Sequence, residues 1–424
     1  MPAFQTARGM RDLLHEEAET LNYIICKAKE TAQRYGYREV ITPLVEPYEL
    51  LSAKSGEEIR QRMFTFKDLG DRTVALRPEF TASIARLATT ALKTEPQPLR
   101  VFSVGSVYRY DEPQRGRYRE FWQSNFELMG SNQPEADAET ILLTNNFMKA
   151  TGLQNYSFKI GHIGIIRGVL NQVDTDDKTQ NAILQLMDKK EYDKALKLVK
   201  GKEWRMVLQG LLKIKGETPF ETVEKIKDCV DGCEEAAAAV DNLRDVLWLV
   251  DECGCPVETV EPAFARGLEY YTGMIFEVNV PELDVALGGG GRYDRLIEVF
   301  GGEPTPAVGV AHGLDRIALA MQTQKIVLAA WQGIRVVVIP VQESMRGEAI
   351  RIAHRLRDAG VMVEFEVMGR KMGKALEDAD RRKMDYAVIV GEREMDEDSV
   401  VLRDLAKHEQ ATIKIRKLLE RIRG

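Results

Sequence analysis

Six residues at alternate positions, Arg117, Arg119, Phe121, Gln123, Asn125 and Glu127, are the feature of the sequence richest in usable chemistry. In an extended strand, side chains two apart share a face. A strand over 118–129 therefore gathers guanidinium groups, an aromatic ring, two amides and a carboxylate on one side. Such a face suits a bound nucleotide or amino acid, and it equally suits a solvated sheet face; periodicity does not choose between them. The other face carries Tyr118, Trp122, Phe126 and Leu128, of which Phe126 and Leu128 read as core. Arg100, Arg109 and Arg115 join Arg117 and Arg119, with Arg109 near the end of the preceding strand. A guanidinium offers a planar fork of donors that clamps phosphate oxygens. Five arginines in 20 residues favour phosphate modestly over ion pairs with Asp111, Glu112 and Glu120.

Absences narrow the chemistry. There is no G-x4-G-K-[ST] and no G-x-G-x-x-G at a strand–helix turn, so neither a P-loop nor a dinucleotide fingerprint is present. The run Gly288–Gly291, followed by Arg292-Tyr293-Asp294, either lets backbone approach a ligand or makes a bulged turn. The 5 histidines are scattered, without a triad or metal cluster. Cys26, Cys229, Cys233, Cys253 and Cys255 are odd in number and read as reduced thiols. Their C-x3-C and C-x-C spacings fit no common zinc framework, so no metal site is expected.

Taken together, three longer stretches resemble the motifs of class II aminoacyl-tRNA synthetases. Gly36-Tyr37 through Thr42-Pro43 resembles motif 1, the helix–strand unit that forms the dimer interface. Tyr108-Arg109-Tyr110-Asp111-Glu112-Pro113-Gln114-Arg115-Gly116-Arg117-Tyr118-Arg119-Glu120-Phe121 resembles motif 2, and Gly309-Val310-Ala311-His312-Gly313-Leu314-Asp315-Arg316 resembles motif 3. Two more are similar to signatures of the histidyl-tRNA synthetases. These are Ala265-Arg266-Gly267-Leu268-Glu269-Tyr270-Tyr271-Thr272-Gly273 and Gly289-Gly290-Gly291-Arg292-Tyr293-Asp294.

The resemblance implies roles at matching positions. Arg109 and Arg316 would hold the ATP triphosphate, with Asp111 and Arg117 beside them, and Phe121 would stack on adenine. Glu79 and Thr81 would meet the substrate α-amino group. Gln123, Glu127, Tyr270 and Tyr271 would form the histidine pocket; strand parity independently puts Gln123 and Glu127 on one face. Arg266 would lie on the α-phosphate and stabilise charge as the substrate carboxylate attacks. Gln114 and Arg119 in the motif 2 loop, and Lys371 and Lys374 in the tail, would face tRNA-His. The family implies ATP as substrate, Mg2+ with it, L-histidine, and a homodimer. Departures from the family pattern stand at Glu112, where Arg or Lys is common, and at Phe80, Trp122 and Asn125. Lys159-Ile160-Gly161-His162 and Lys371-Met372-Gly373-Lys374 faintly echo class I signatures. The first lacks the leading histidine and does not open a nucleotide-binding βα unit at the N-terminus; the second falls in the tail.

The elements that must position these residues follow from pattern. Residues 16–35 read as an amphipathic helix, 39–42 as a strand stopped by Pro43, and 79–93 as a helix. Strand-like runs 101–110 and 118–129 make a long hairpin. Residues 164–255 are helical, with few aromatics, between stretches of antiparallel character, which predicts an insertion within one domain. From 331 the rhythm alternates strand and helix, predicting a separate α/β domain with a mostly parallel sheet, joined through 322–333. The expected fold is α+β: an antiparallel-sheet catalytic domain over 1–325, interrupted by a helical insertion at 164–255, and an α/β anticodon-binding domain over 331–424.

Bulk properties fit this reading. A 424-residue chain with 44% apolar and 29% charged residues is globular, not fibrous or disordered. No apolar run approaches the ~18 residues of a membrane span, and the charged N-terminus is unlike a signal peptide; no membrane and a cytoplasmic location are expected. The net charge is −7, yet residues 331–424 hold 19 basic and 17 acidic side chains. The acidity therefore sits in the main body, and RNA contact is expected to use local basic groups. The expected activity is histidine–tRNA ligation. The alternative is a histidine-sensing regulatory subunit of an ATP phosphoribosyltransferase. Such paralogues lack the tail domain and erode the motif arginines, whereas here both are present.

Overall fold

Ten residues on either side of a polar loop pair without interruption. Leu99–Tyr108 runs antiparallel to Glu120–Met129, from Leu99 opposite Met129 to Tyr108 opposite Glu120. The computed structural model describes residues 4–53, 56–264, 270–328 and 333–423, the side chains of 57 and 58 excepted. The chain divides into two compact units, Met1–Ile326 and Val327–Gly424.

In the first unit the hairpin belongs to an eight-stranded sheet. Its order is Arg38–Glu39, Leu99–Tyr108, Glu120–Met129, Ala307–Gly313, Gly288–Arg292, Met274–Asn279, Ser157–His162 and Val257–Val260. Only the first and last pairs are parallel; every inner pair is antiparallel. The helix Glu16–Arg34 covers the sheet through Leu21, Ile24, Ala28 and Ala32, as its 3.6-residue period requires. Phe102, Phe126 and Leu128 are fully enclosed. Each such side chain contributes roughly 1.5–3 kcal/mol by leaving water.

Two expectations change here. The glycine run is neither a turn nor a bulge: Gly288–Arg292 is a buried central strand, paired on both edges. The helix expected over 79–93 is shorter, Thr81–Thr89, because the chain turns at Thr90 and Leu92 N–H bonds back to Leu87 O at 2.9 Å.

The helical stretch connects two parallel neighbours, Ser157–His162 and Val257–Val260, a pairing that needs a long crossover. It holds six helices, from Ile163–Asn171 to Glu234–Asp251. The last packs on both Ile163–Asn171 and Pro134–Thr151, so the block shares its core with the sheet.

The second unit has a five-stranded sheet in the order Met362–Phe365, Arg335–Pro340, Tyr386–Val390, Ser399–Asp404, Glu409–Lys414. The first three are parallel and the last two antiparallel, so the sheet is mixed rather than mostly parallel. Glu409–Lys414 is largely exposed and carries no apolar alternation that would announce it. The helices Arg346–Asp358 and Ile415–Arg423 close one core cluster, and Met372–Arg381 closes another. Among the described residues no helix is long and apolar enough to cross a membrane.

Candidate active site

A cavity of about 330 Å3 opens over the middle of the large sheet, in the first unit. Its floor comes from Glu120–Met129, Gly288–Arg292 and Ala307–Gly313, and its walls from Arg109, the 116–118 loop, Tyr270, Tyr271 and Arg316. Gly288, Gly289 and Gly309 line it; a Cβ at Gly288 would run into His312.

At one end stands Glu127, 1% exposed. Thr81 Oγ1 donates to its Oε1 at 2.8 Å, and Tyr293 O–H donates to its Oε2 in a short hydrogen bond. Burial pushes this carboxyl up to about 8, although both hydroxyls pull it down and Glu79 adds a like charge. Gln123 shares the strand face; its Oε1 is buried without a hydrogen-bond partner among the described residues, an acceptor that a ligand N–H would satisfy. Tyr270 packs against Tyr271 at 4.9 Å and against Tyr293 at 5.7 Å between ring centroids. A Cβ at Gly309 would overlap Glu127 Oε2, so only glycine leaves that carboxyl where it is.

The other end is cationic. Arg109 Nε donates to Pro78 O at 2.9 Å, and its guanidinium lies 5.3 Å from the centroid of the Phe121 ring. Burial lowers its pKa, opposed by Glu79 and Asp111; the same burial raises Glu79, opposed by Arg109. Asp111 takes Arg62 at 3.1 Å and Arg117 at 3.3 Å. Arg316, in the first turn of Leu314–Thr323, donates from Nη1 to Ala286 O at 2.8 Å. The cavity thus sets an acceptor-rich, partly aromatic end against a guanidinium-rich end. It can hold a small polar molecule beside a polyanion.

Glu79, Thr81, Arg109, Asp111, Arg117, Phe121, Gln123, Glu127, Tyr270, Tyr271 and Arg316 all line this one cavity. Arg266 lies outside the described residues. Gln114 is exposed at the loop tip, bonded to Arg117 through the backbone at 3.0 and 2.8 Å. Arg119 is turned inward instead of toward an RNA: it is 6% exposed, its Nε donates to Asp111 O at 3.1 Å, and its guanidinium stacks 3.7 Å from the centroid of the Tyr110 ring. Glu112 pairs with Arg8 at 2.9 Å on the surface. Lys371 and Lys374 are exposed in the second unit. Nearby Arg381 and Arg382 are tied to Asp378 at 2.5 and 2.9 Å.

Four participants were missed in the sequence. In the sequence Tyr293 stands out only as part of a glycine-rich signature. Arg62 and Asp188 line the cavity from short or helical segments with no strand parity to betray them. Arg11 pairs with Asp315, which also accepts Trp122 N–H at 2.7 Å; no local pattern links residues that far apart. His312 is buried and neutral, pushed down to about 3, and held between Ser124 at 3.2 Å and Thr144 at 3.0 Å. Among the described residues no group of three or more His, Cys, Asp or Glu is arranged to hold a metal ion.

Comparison with known proteins bears on the same residues. A family model described as histidyl-tRNA synthetase matches residues 9–317, and one described as anticodon binding domain matches 335–424. A histidine–tRNA ligase of Methanocaldococcus jannaschii is 39% identical over 420 residues, covering 98% of each chain. A solved histidyl-tRNA synthetase from Nostoc sp. superposes with a TM-score of 0.80 at 23% identity, over 100% of this chain and 99% of that one. A structure titled ATP phosphoribosyltransferase regulatory subunit/histidyl-tRNA synthetase, from Bacillus halodurans, reaches a TM-score of 0.75 at 27% identity, covering 89% of this chain and 97% of its own.

Proposed function

The chain belongs to the histidyl-tRNA synthetase family, and on that premise we propose that its cavity joins L-histidine to tRNA-His in two steps. In the first, a carboxylate oxygen of histidine attacks the α-phosphate of ATP; the P–O bond to pyrophosphate breaks as histidyl-adenylate forms. In the second, a terminal ribose hydroxyl of the tRNA attacks the acyl carbon, and AMP leaves with its phosphate.

The observation that carries this reading is the pairing of two ends in one cavity. Neutral imidazole has one donor and one acceptor nitrogen. Glu127, Gln123 and the Tyr270–Tyr271 pair supply the complement, and a pocket that bonds both nitrogens rejects analogues that bond neither. Glu79 and Thr81 take the α-amino group. Arg109 and Arg316 grip the triphosphate, Phe121 stacks on adenine, and Asp111 keeps Arg117 turned to the pocket. Arg266 is assigned to the α-phosphate by its place in the family signature 265–273. Most of the acceleration then comes from positioning and charge stabilisation, with no protein nucleophile.

Mg2+ enters with the triphosphate. Of the buried carboxylates of the pocket, Asp111 is committed to Arg62 and Arg117, Asp315 to Arg11, and Glu127 to Thr81 and Tyr293, so the ion would rely chiefly on the phosphate oxygens it arrives with. Gln114 at the loop tip and Lys371 and Lys374 in the tail contact tRNA-His, the latter two on the anticodon side. The enzyme works in the cytoplasm as a homodimer built on its motif 1 segment, with two-fold related interfaces. The regulatory-subunit reading is not favoured, because full-length relatives are histidine–tRNA ligases and the anticodon-binding match is present.

The test is ATP–pyrophosphate exchange with each of the twenty amino acids. Exchange with histidine alone is expected; folded protein that exchanges with none overturns the reading.

A further inference from the structure

Arg292 belongs to the glycine-rich signature, yet it is not among the residues that line the cavity. Adjacent side chains of an extended chain leave on opposite faces. Tyr293 reaches Glu127 in front of the sheet, and Arg292 reaches Asp137 behind it. Asp137 stands in the first turn of the helix Pro134–Thr151, where the helix dipole favours a carboxylate. Both side chains are buried. Arg292 Nε donates to the two Asp137 oxygens at 3.0 and 3.1 Å, and Nη2 lies 2.9 Å from Oδ1. Nη1 donates to Ser131 O at 2.9 Å and to Asp294 Oδ1 at 3.1 Å. One planar fork thus ties together a helix, the loop that precedes it and the residue two positions on.

The same network grips the chain on both sides of Tyr293. Asp294 Oδ1 also accepts Ala307 N–H at 3.1 Å, and Asp294 N–H donates to Thr272 Oγ1 at 3.0 Å. Thr272 N–H donates to Arg292 O at 2.8 Å, and Tyr293 N–H to Ala307 O at 2.7 Å. A Cβ at Gly273 would come within 2.9 Å of Arg292 Cδ, so the stretch that carries Tyr270 and Tyr271 runs close along the arginine stem. Between these anchors the Tyr293 hydroxyl donates to Glu127 Oε2, and its ring packs on Tyr270. Tyr293, Glu127 and Tyr270 line the cavity; Arg292, Asp137, Asp294 and Thr272 stand outside its lining.

We propose that Arg292, paired with Asp137, is a positioning residue for histidine recognition: it fixes residues 292–294 from behind the sheet, and so holds the Tyr293 hydroxyl on Glu127 where the imidazole needs that carboxyl. The inference rests on assigning the Glu127 end of the cavity to histidine. The triphosphate is assigned to the other end, so a slack Tyr293 raises KM for histidine and spares KM for ATP. A buried pair that served the fold alone would lower stability and leave both values where they are.

The test measures exchange kinetics and melting temperature on the full-length protein. Arg292→Lys keeps a cation beside Asp137 but lacks the fork that reaches Ser131 and Asp294 together. It is expected to raise KM for histidine about tenfold, the equivalent of one hydrogen bond, with KM for ATP within about twofold. Thr272→Val removes only a hydroxyl of the network and is expected to raise KM for histidine about threefold, again sparing ATP; it decides the matter if Arg292→Lys does not fold. In a Tyr293→Phe background, Arg292→Lys adds less than about twofold, because its effect runs through that hydroxyl. Unchanged KM for histidine in these variants, equal rises for both substrates, or full additivity with Tyr293→Phe would each overturn the proposal. Wild-type protein without histidine-dependent exchange, or Glu127→Gln with an unaltered KM for histidine, removes the functional reading itself, and is seen before Arg292 is touched.

Discussion

In the proposed role of Glu127 as partner of the histidine imidazole, its carboxyl and the ring share a proton. Burial pushes its carboxyl up to about 8, while an imidazole ordinarily titrates near 6.5. A bound pair with one proton between them is neutral imidazole on a protonated carboxyl or imidazolium on a carboxylate, and the two have the same proton count. Histidine uptake is therefore best between about pH 6.5 and 8. KM should rise below that window, where the pair carries two protons, and above it, where it carries none. The same shift bears on stability. Between the ordinary carboxyl value of 4.5 and about 8, the folded protein holds a proton that the unfolded chain releases. This contribution is fully present below 4.5 and lost as pH rises through about 8, so the unliganded protein should weaken across the window. Glu127→Gln should flatten that slope in urea melts at several pH values and cut histidine-dependent exchange by ~100-fold or more; parallel slopes would contradict the assignment. The parity of Gln123 and Glu127 was legible in the sequence because a strand has a strict two-residue period. Tyr293 was not, because the glycines before it carry no period at all. The burial of Arg119 is not legible for a related reason: it sits between loop and strand, and its stacking on Tyr110 depends on how the loop folds back.

At the scale of elements, the long hairpin was legible to within two residues at each end, and the helix Glu16–Arg34 to within one, since both show their buried face as a regular alternation. The strand Gly288–Arg292 was ambiguous because a strand without side chains is indistinguishable from a turn by composition. Its place in the sheet is set by backbone pairing with Met274–Asn279 and Ala307–Gly313 and by close approach of its neighbours: a Cβ at Gly288, Gly290 or Gly291 would run into His312, Gly309 O or Met274 O. Neighbouring Gly309 makes this testable. A methyl group there would overlap Glu127 Oε2, so Gly309→Ala must displace either the carboxyl or the strand. We expect exchange to fall by ~100-fold or more, with a loss of about 1–3 kcal/mol in stability typical of overpacking. Ala311→Gly in the same strand serves as the control for strand propensity and should keep most of the activity. If Gly309→Ala exchanges at the wild-type rate, the close approach does not set the position of Glu127.

The whole molecule separates its chemistry from its second unit. Every described residue lining the cavity lies in Met1–Ile326, while Val327–Gly424 has core clusters of its own around Val336, Val338 and Val388 and around Val337, Ile339 and Ala379. Charge divides along nearly the same line, with the excess of acidic side chains confined to the first 330 residues and a slight basic excess beyond them. An RNA polyanion approaching the acidic body gains nothing from long-range attraction there, so the proposed contacts of the exposed Lys371 and Lys374 would matter more than their number suggests. A chain ending at Ile326 should then keep histidine-dependent exchange within about twofold, since it retains the full cavity, while its charging of tRNA-His should fall by tenfold or more. The remaining charging should also lose part of its salt dependence, because fewer phosphates are neutralised per complex. Parallel measurement of exchange and charging across salt concentrations decides it. Equal loss of both activities would mean that the second unit supports the fold of the first. Full retention of both would mean that tRNA is held by the first unit alone.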